Sequence, residues 1–247
     1  MVSFAAEPIV RLGFFTVTNS FLDTLLVDGL IIGLILAINK KISLIPGVLQ
    51  NFIEMIVETF YSLTESVANE RASKIFPYVM SFFLFILIAN WTGLIPGFST
   101  VGFYHGKDIT PIFRPATSDF NVTFGLAIIS ALATHMLSLK TIGIKKYIGR
   151  YFSLNPINLY VGILELVGEF TKVISLSFRL FGNIFAGEVV LATVGTLFAF
   201  VFPLPFMLLE VIVGLVQALV FSMLTMAFMA VLTTPHHEEA KEVSSTV

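Results

Sequence analysis

The sequence has 247 residues, 56% of them hydrophobic and 12% charged, with a mean hydropathy of +0.93, whereas a soluble domain carries roughly 25% charged residues. So much apolar surface calls for lipid. Its 14 Lys and Arg against 16 Asp and Glu give a net charge of -2 and no basic excess for nucleic acid, and the lack of cysteine removes disulfides, thiolate metal sites and cysteine nucleophiles.

The expected fold is an all-α integral membrane protein with about five membrane-embedded helices and an amphipathic surface helix, all in one membrane domain. Residues 1–21 form an outer N-terminal segment with no basic region leading into an apolar run and a small-residue cleavage site. No cleaved signal peptide is expected, and the first span does the targeting. A bilayer core about 30 Å thick takes about 20 apolar residues in a helix. The first such run is 22–39. Over 47–70 follows an amphipathic helix, with Leu49, Phe52, Ile53, Ile56, Val57, Phe60, Leu63 and Val67 at helical spacing and Gln50, Glu54, Glu58 and Glu65 elsewhere on the wheel. It reads either as a helix lying on the membrane surface or as a docking face for another subunit. Further spans are expected at 76–95 and 120–139. The long region 157–232 is broken at Pro203, Leu204 and Pro205, which predicts a hairpin. Its first arm, about 44 residues, would be ~66 Å long as one helix, over twice the bilayer core, so it must bend or tilt. A polar tail, 233–247, ends the chain.

Lys40, Lys41, Arg71, Lys74, Lys140, Lys145, Lys146, Arg150 and Lys241 fall on one side of this topology, and Arg11, Lys107 and Arg114 on the other. The excess marks the cytoplasmic side, which puts the N-terminus outside and the C-terminus in the cytoplasm.

Ionisable residues inside a span are costly unless they face protein or water, so each is a functional candidate. The hairpin holds Glu165, Glu169, Lys172, Arg179, Glu188 and Glu210. At 100° per residue, Glu165, Lys172, Ser175, Arg179 and Asn183 fall within about 80° of one another, with Glu169 at the edge. Glu188 lies about 180° away from Arg179 on a regular helix, which implies two separate polar pockets. Glu210, Gly214 and Gln217 share one face of the second arm, where Gly214 admits a close neighbour. A carboxylate such as Glu188 or Glu210 can exchange protons. Arg179 keeps its charge and suits a fixed barrier. Glu165 and Lys172 have a blander reading, as a pair neutralising each other across two turns. Asp23 and Asp28 read as solvated end residues, with Asp23 also placed to line a vestibule. His105, His236 and His237 read as solvated, a metal site there being the weaker alternative. Neither polar cluster resembles a centre for covalent chemistry, and no cofactor or metal is expected.

The stretch SFRLFGNIFAGE, residues 177–188, closely resembles the signature of the F-type ATP synthase subunit a family. TNSFLDT near the start, DFNVT at 119–123, NPINLYVGILELVGEFTK before the signature and GLVQALVFSMLT after it extend the resemblance over about 17–235. It implies a stator subunit without a catalytic site, whose two aqueous half-channels load and unload protons on a rotor ring of c subunits. It also implies the b-subunit peripheral stalk and other synthase subunits as partners, and a tilted hairpin against the rotor. Arg179 matches the arginine that faces the ring and separates the half-channels. Glu188 and Glu210 match polar positions of the outer half-channel, with Gln217 and Asn183 close to the arginine, and Glu165 and Ser175 match positions of the cytoplasmic half-channel. Some relatives carry histidine where this chain has Glu210, so its relay differs in detail. A bacterial plasma membrane is the expected location. Proton and sodium coupling both stay open, because the ion-binding carboxylate belongs to the rotor. A transporter working without a rotor and a passive scaffold are the alternatives. The first predicts two related halves, and the second predicts that Arg179 and the glutamates are replaceable.

Overall fold

A bilayer offers backbone amides no hydrogen-bond partner, so apolar runs in it close their bonds within a helix. The computed structural model of the protein describes residues 8–12, 15–40, 43, 46–95, 102–105, 108–112, 114–151, 156–197 and 202–234. Seven α-helices run α1 (Asn19–Asn39), α2 (Val48–Ala68), α3 (Ala72–Thr92), α4 (Phe120–Ile142), α5 (Ile144–Tyr151), α6 (Pro156–Leu197) and α7 (Pro203–Thr233). Two short antiparallel hairpins, β1 (Pro8–Leu12) with β2 (Phe15–Thr18) and β3 (Gly102–His105) with β4 (Asp108–Pro111), lie outside the helices. Five helical stretches are long and apolar enough to cross a membrane: α1, Gln50–Thr92 containing α2 and α3, α4, Leu159–Leu197 of α6, and α7. The protein is thus an all-α membrane protein. The N-terminal seven residues and the tail from 235 onward, with His236 and His237, lie outside the described residues.

Local chemistry sets the helix ends. Thr18 caps α1, its hydroxyl accepting from the Phe21 amide at 3.3 Å, and the Asp119 carboxylate caps α4 through the Asn121 amide at 3.0 Å. Pro203 opens α7 within the first turn, where a missing N–H costs nothing. Gly143 takes a φ of 85°, ending α4 and turning the chain into α5. At 42 residues α6 is continuous, ~63 Å at 1.5 Å per residue.

The core is organised around α7, which packs against α3 on one side and against α4 and α6 on the other. Lipid gives little hydrophobic drive between helices, so close approach and polar contacts hold them together. Asn90 of α3 donates its side-chain amide to the Gly214 carbonyl at 2.9 Å, and the Trp91 indole donates to Val211 at 3.2 Å. From α4, Ser130 shares a 2.8 Å hydrogen bond with Thr225, and Ser138 donates to the Leu232 carbonyl at 2.6 Å. Leu176, Leu180 and Ile184 of α6 bury one face one turn apart, alongside Phe82, Phe83 and Ile86 of α3 and Phe221 and Met229 of α7. On α2, Phe60, Thr64 and Ala68 are buried, and the Phe60 ring lies 4.4 Å from that of Phe83, so α2 folds back beside α3. Phe52, Leu63 and Val67, on the expected apolar stripe, stay exposed.

A Cβ built on Gly214 would lie 3.1 Å from the Asn90 Cβ. Gly214→Leu is therefore expected to force α3 and α7 apart, at a cost of about 1–3 kcal/mol. Gly29, with no neighbour within 4 Å, should accept Leu without loss. Thermal unfolding of the two variants in detergent micelles checks this, and equal midpoints would contradict the packing at Gly214.

Candidate functional site

The face of α6 next to that of Leu176, Leu180 and Ile184, about 100° around the helix, carries Ser175, Arg179 and Asn183, all exposed. Arg179 donates to the Ser175 hydroxyl at 3.4 Å, and among the described residues no carboxylate pairs with it. Phe178 beside it is exposed as well. Between α6 and α7 a pocket of about 450 Å³ is lined by Gly168, Thr171, Lys172, Ser175, Arg179 and Phe228, among others. The guanidinium thus stands on an outward face with Ser175 and Asn183, at the edge of a cleft that holds a second cation.

At the end where α6 stops and α7 begins, Glu188 faces away from Arg179. It forms an ion pair of 3.5 Å with Arg114, which is itself buried and donates through Nε to Ser118 at 2.9 Å. Arg114 was expected only as a loop charge, and the structure instead folds it inward by the 3-10 turn Ala116–Ser118. Asp23 of α1 is buried, not solvated, and accepts from the Ala116 amide at 2.8 Å and the Thr92 hydroxyl at 3.3 Å. Asp28 is exposed. Glu210 is buried against Gly187, so closely that a Cβ there would overlap its carboxylate. This contact brings Glu210 beside the residue preceding Glu188. Gln217, also buried, lies two turns further along α7. Asp23 Oδ1, Asn90 Oδ1, Thr117 Oγ1 and Glu210 Oε1 are buried without a hydrogen-bond partner among the described residues. Buried oxygens of this kind are the lining that ordered water satisfies. The two polar regions sit on different faces of α6.

The opposite end differs from the sequence expectation. Glu165 and Lys172 do not pair with each other. Glu165 accepts from Arg150 of α5, with Nε at 2.7 Å and a second bond from Nη2, and Lys172 donates to Glu169 at 2.5 Å while lying 4.2 Å from the Phe228 ring centroid. Arg150 also donates to the Val231 carbonyl of α7 at 3.3 Å. The physical reason is reach: α5 brings a guanidinium directly over Glu165, whereas the Lys172 ammonium meets Glu169 one turn away. Sequence reasoning missed His135. Its Nε2 lies 3.7 Å from Glu169, and its Nδ1 shares a 2.9 Å hydrogen bond with the Tyr147 hydroxyl. The signal was present, since His135 is an ionisable residue inside an otherwise apolar span. Tyr151, whose ring lies 5.3 Å from Tyr147, has its hydroxyl pushed above the ordinary value by burial first, with Tyr147, Glu169 and Glu165 adding to it. Among the described residues no group of three His, Asp or Glu side chains could hold a metal ion, and the His105 side chain is not among them.

The sequence matches the family model described as ATP synthase A chain over residues 21–230. It is 32% identical over 215 residues to an ATP synthase subunit a of Moorella thermoacetica, covering 87% of this chain and 88% of that one. It is 34% identical over 213 residues to an ATP synthase subunit a of Geotalea daltonii, covering 83% and 85% respectively.

The Arg150 and Glu165 pair lends itself to a thermodynamic cycle. Arg150→Ala leaves Glu165 without its main cation and should destabilise the protein by about 3 kcal/mol, as breaking a largely buried pair does. Arg150→Ala combined with Glu165→Gln should recover more than half of that loss. Unfolding measured for the single and double variants checks the coupling; additive losses would show that the two side chains are independent.

Proposed function

The chain belongs to the ATP synthase A chain family, whose members are the non-catalytic, proton-translocating membrane subunit of F-type ATP synthase, and from that premise we propose how its residues carry protons. Arg179 is the fixed charge between two half-channels. Glu188, Glu210, Gln217 and Asn183 serve the half open to the outside, and Glu165 and Ser175 the half open to the cytoplasm. The partner across the exposed face of α6 is a ring of c subunits, with the b-subunit stalk and the remaining synthase subunits elsewhere on the surface. The protein sits in a bacterial plasma membrane, with its N-terminus outside, as the basic residues of its loops suggest.

One observation carries this reading. Arg179 sits in the middle of α6 on an exposed face, with the Ser175 hydroxyl at 3.4 Å and no carboxylate among the described residues. An arginine stays charged at any accessible pH, and an uncompensated charge at membrane depth is costly. A carboxylate supplied by another subunit would answer that charge.

The mechanism follows from the same geometry. A proton taken up past Glu188 and Glu210 neutralises a rotor carboxylate, which can then turn through lipid. When that carboxylic acid arrives at Arg179, the guanidinium favours its ionised form and the proton leaves on the other side. The same charge repels a proton moving directly between the half-channels. Each charge crossing 100 mV releases about 2.3 kcal/mol, so several protons are pooled for each ATP. The phosphate chemistry lies elsewhere, since no GxxxxGK[ST] loop occurs in this sequence.

The test is ATP-driven proton pumping in inverted vesicles containing the whole complex. Arg179→Ala should abolish pumping while the complex stays assembled and its soluble sector still hydrolyses ATP. Glu188→Gln should slow pumping without abolishing assembly. Normal pumping with alanine at 179 would overturn the half-channel reading.

A further inference from the structure

Glu165 is held by Arg150 at the α5 end of the molecule, whereas the next carboxylate along α6 is differently placed. Glu169 Oε1 accepts from Lys172, which lines the same pocket as Arg179, and Glu169 Oε2 lies 3.7 Å from His135 Nε2. The other ring nitrogen of His135 meets the Tyr147 hydroxyl at 2.9 Å, on the short helix α5. A line of side chains, Lys172, Glu169, His135 and Tyr147, therefore runs from the Arg179 pocket across α6 and α4 to α5.

We propose that His135, between Glu169 and Tyr147, relays protons between the Arg179 pocket and the membrane face at which α5 lies. This rests on the half-channel reading above and adds to it a path that does not pass through Glu165. The step balances. The Glu169 carboxylate takes a proton delivered by water beside Lys172, which lines the pocket, and hands it to Nε2 of a neutral imidazole. The resulting imidazolium gives up its Nδ1 proton to the Tyr147 oxygen as the hydroxyl proton of Tyr147 passes to water. The starting tautomer returns when water takes the Nε2 proton and delivers one to Nδ1. Lys172 takes no proton in this cycle and offsets the charge of Glu169.

Histidine suits the task because one ring nitrogen can accept a proton while the other donates one. Its surroundings contain few competitors. From α5 it meets Tyr147, backed by Tyr151, while Arg150 is turned to Glu165. From α6 it meets Glu169, backed by Lys172. Within α7, which also packs against α4, Glu210 at the far end is the sole ionisable residue, and the nearest ionisable residue on α4 itself is Lys140.

The experiment measures passive proton conduction and ATP-driven pumping between pH 6 and 8.5, in vesicles holding the whole membrane sector or the whole complex. The variants are His135→Gln, His135→Ala, Glu169→Gln and Tyr147→Phe, with Arg179→Ala as reference. His135→Gln and Glu169→Gln should lower conduction by at least about tenfold and flatten its dependence on pH. Free imidazole should restore conduction to His135→Ala. If Arg179→Ala blocks pumping while His135→Gln keeps the wild-type rate and pH profile, the relay is wrong and the half-channel reading stands. A slower rate with an unchanged profile and no recovery with imidazole would make His135 a packing residue and equally overturn the relay. Normal pumping by Arg179→Ala would instead remove the reading on which the relay rests. Should His135 variants fail to assemble, Glu169→Gln and Tyr147→Phe decide the matter by the same two readouts.

Discussion

A charge inside an apolar helix must be answered by an opposite charge, by water or by a second protein, and α6 carries five such charges between Glu165 and Glu188. Four of them are met within the chain. Arg150 answers Glu165, Lys172 and His135 answer Glu169, and Arg114 answers Glu188. Each of these partners comes from α4, α5, α6 itself or the segment before α4, so meeting the charges of α6 brings the remaining elements around it. Arg179 alone has no carboxylate among the described residues, and it stays exposed at the edge of the cleft between α6 and α7.

The remaining structure keeps those pairs in register. Neighbouring helices approach one another where side chains are small or hydroxylated, at Gly214, Ser130, Ser138 and Thr225, and the polar contacts there reach backbone carbonyls or other hydroxyls. Gly187 has a different task. By lacking a Cβ it leaves room for the Glu210 carboxylate, so α6 and α7 meet through a polar contact at the end where Glu188 also lies. The buried oxygens of Asp23, Asn90 and Thr117 continue that polar lining toward α1.

Much of this was readable in advance because the bilayer imposes a simple rule of length and polarity on a helix. The apolar runs, the break at Pro203 and the two-faced character of α6 follow from that rule and from 3.6-residue spacing. The pairing of the charges did not follow. Spacing along α6 suggested Glu165 with Lys172, yet the partners of Glu165 and Glu188 come from segments whose path is not encoded by periodicity. The helix α5 is only eight residues long and rich in basic residues, so it read as loop, although Arg150 and Tyr151 both lie one turn after Tyr147. The hairpins β1–β2 and β3–β4 are too short for an alternating pattern to stand out. His135 was overlooked for the opposite reason: the span around it is so plainly a membrane helix that its one titratable side chain drew no notice.

The clasp made by Arg150 has a mechanical side. It grips the Glu165 carboxylate on α6 and the Val231 carbonyl on α7, and a few ångströms along α7 Ser138 of α4 holds the Leu232 carbonyl. A sideways load on the exposed face of α6 would act on a 42-residue lever. Were that lever anchored only by apolar contacts, which slide readily past one another, part of each stroke would go into bending it. Bonds at its α5 end tie it to two neighbouring helices, so the load is shared by three rods. One guanidinium and one hydroxyl thus join α4, α5, α6 and α7 at this end of the molecule.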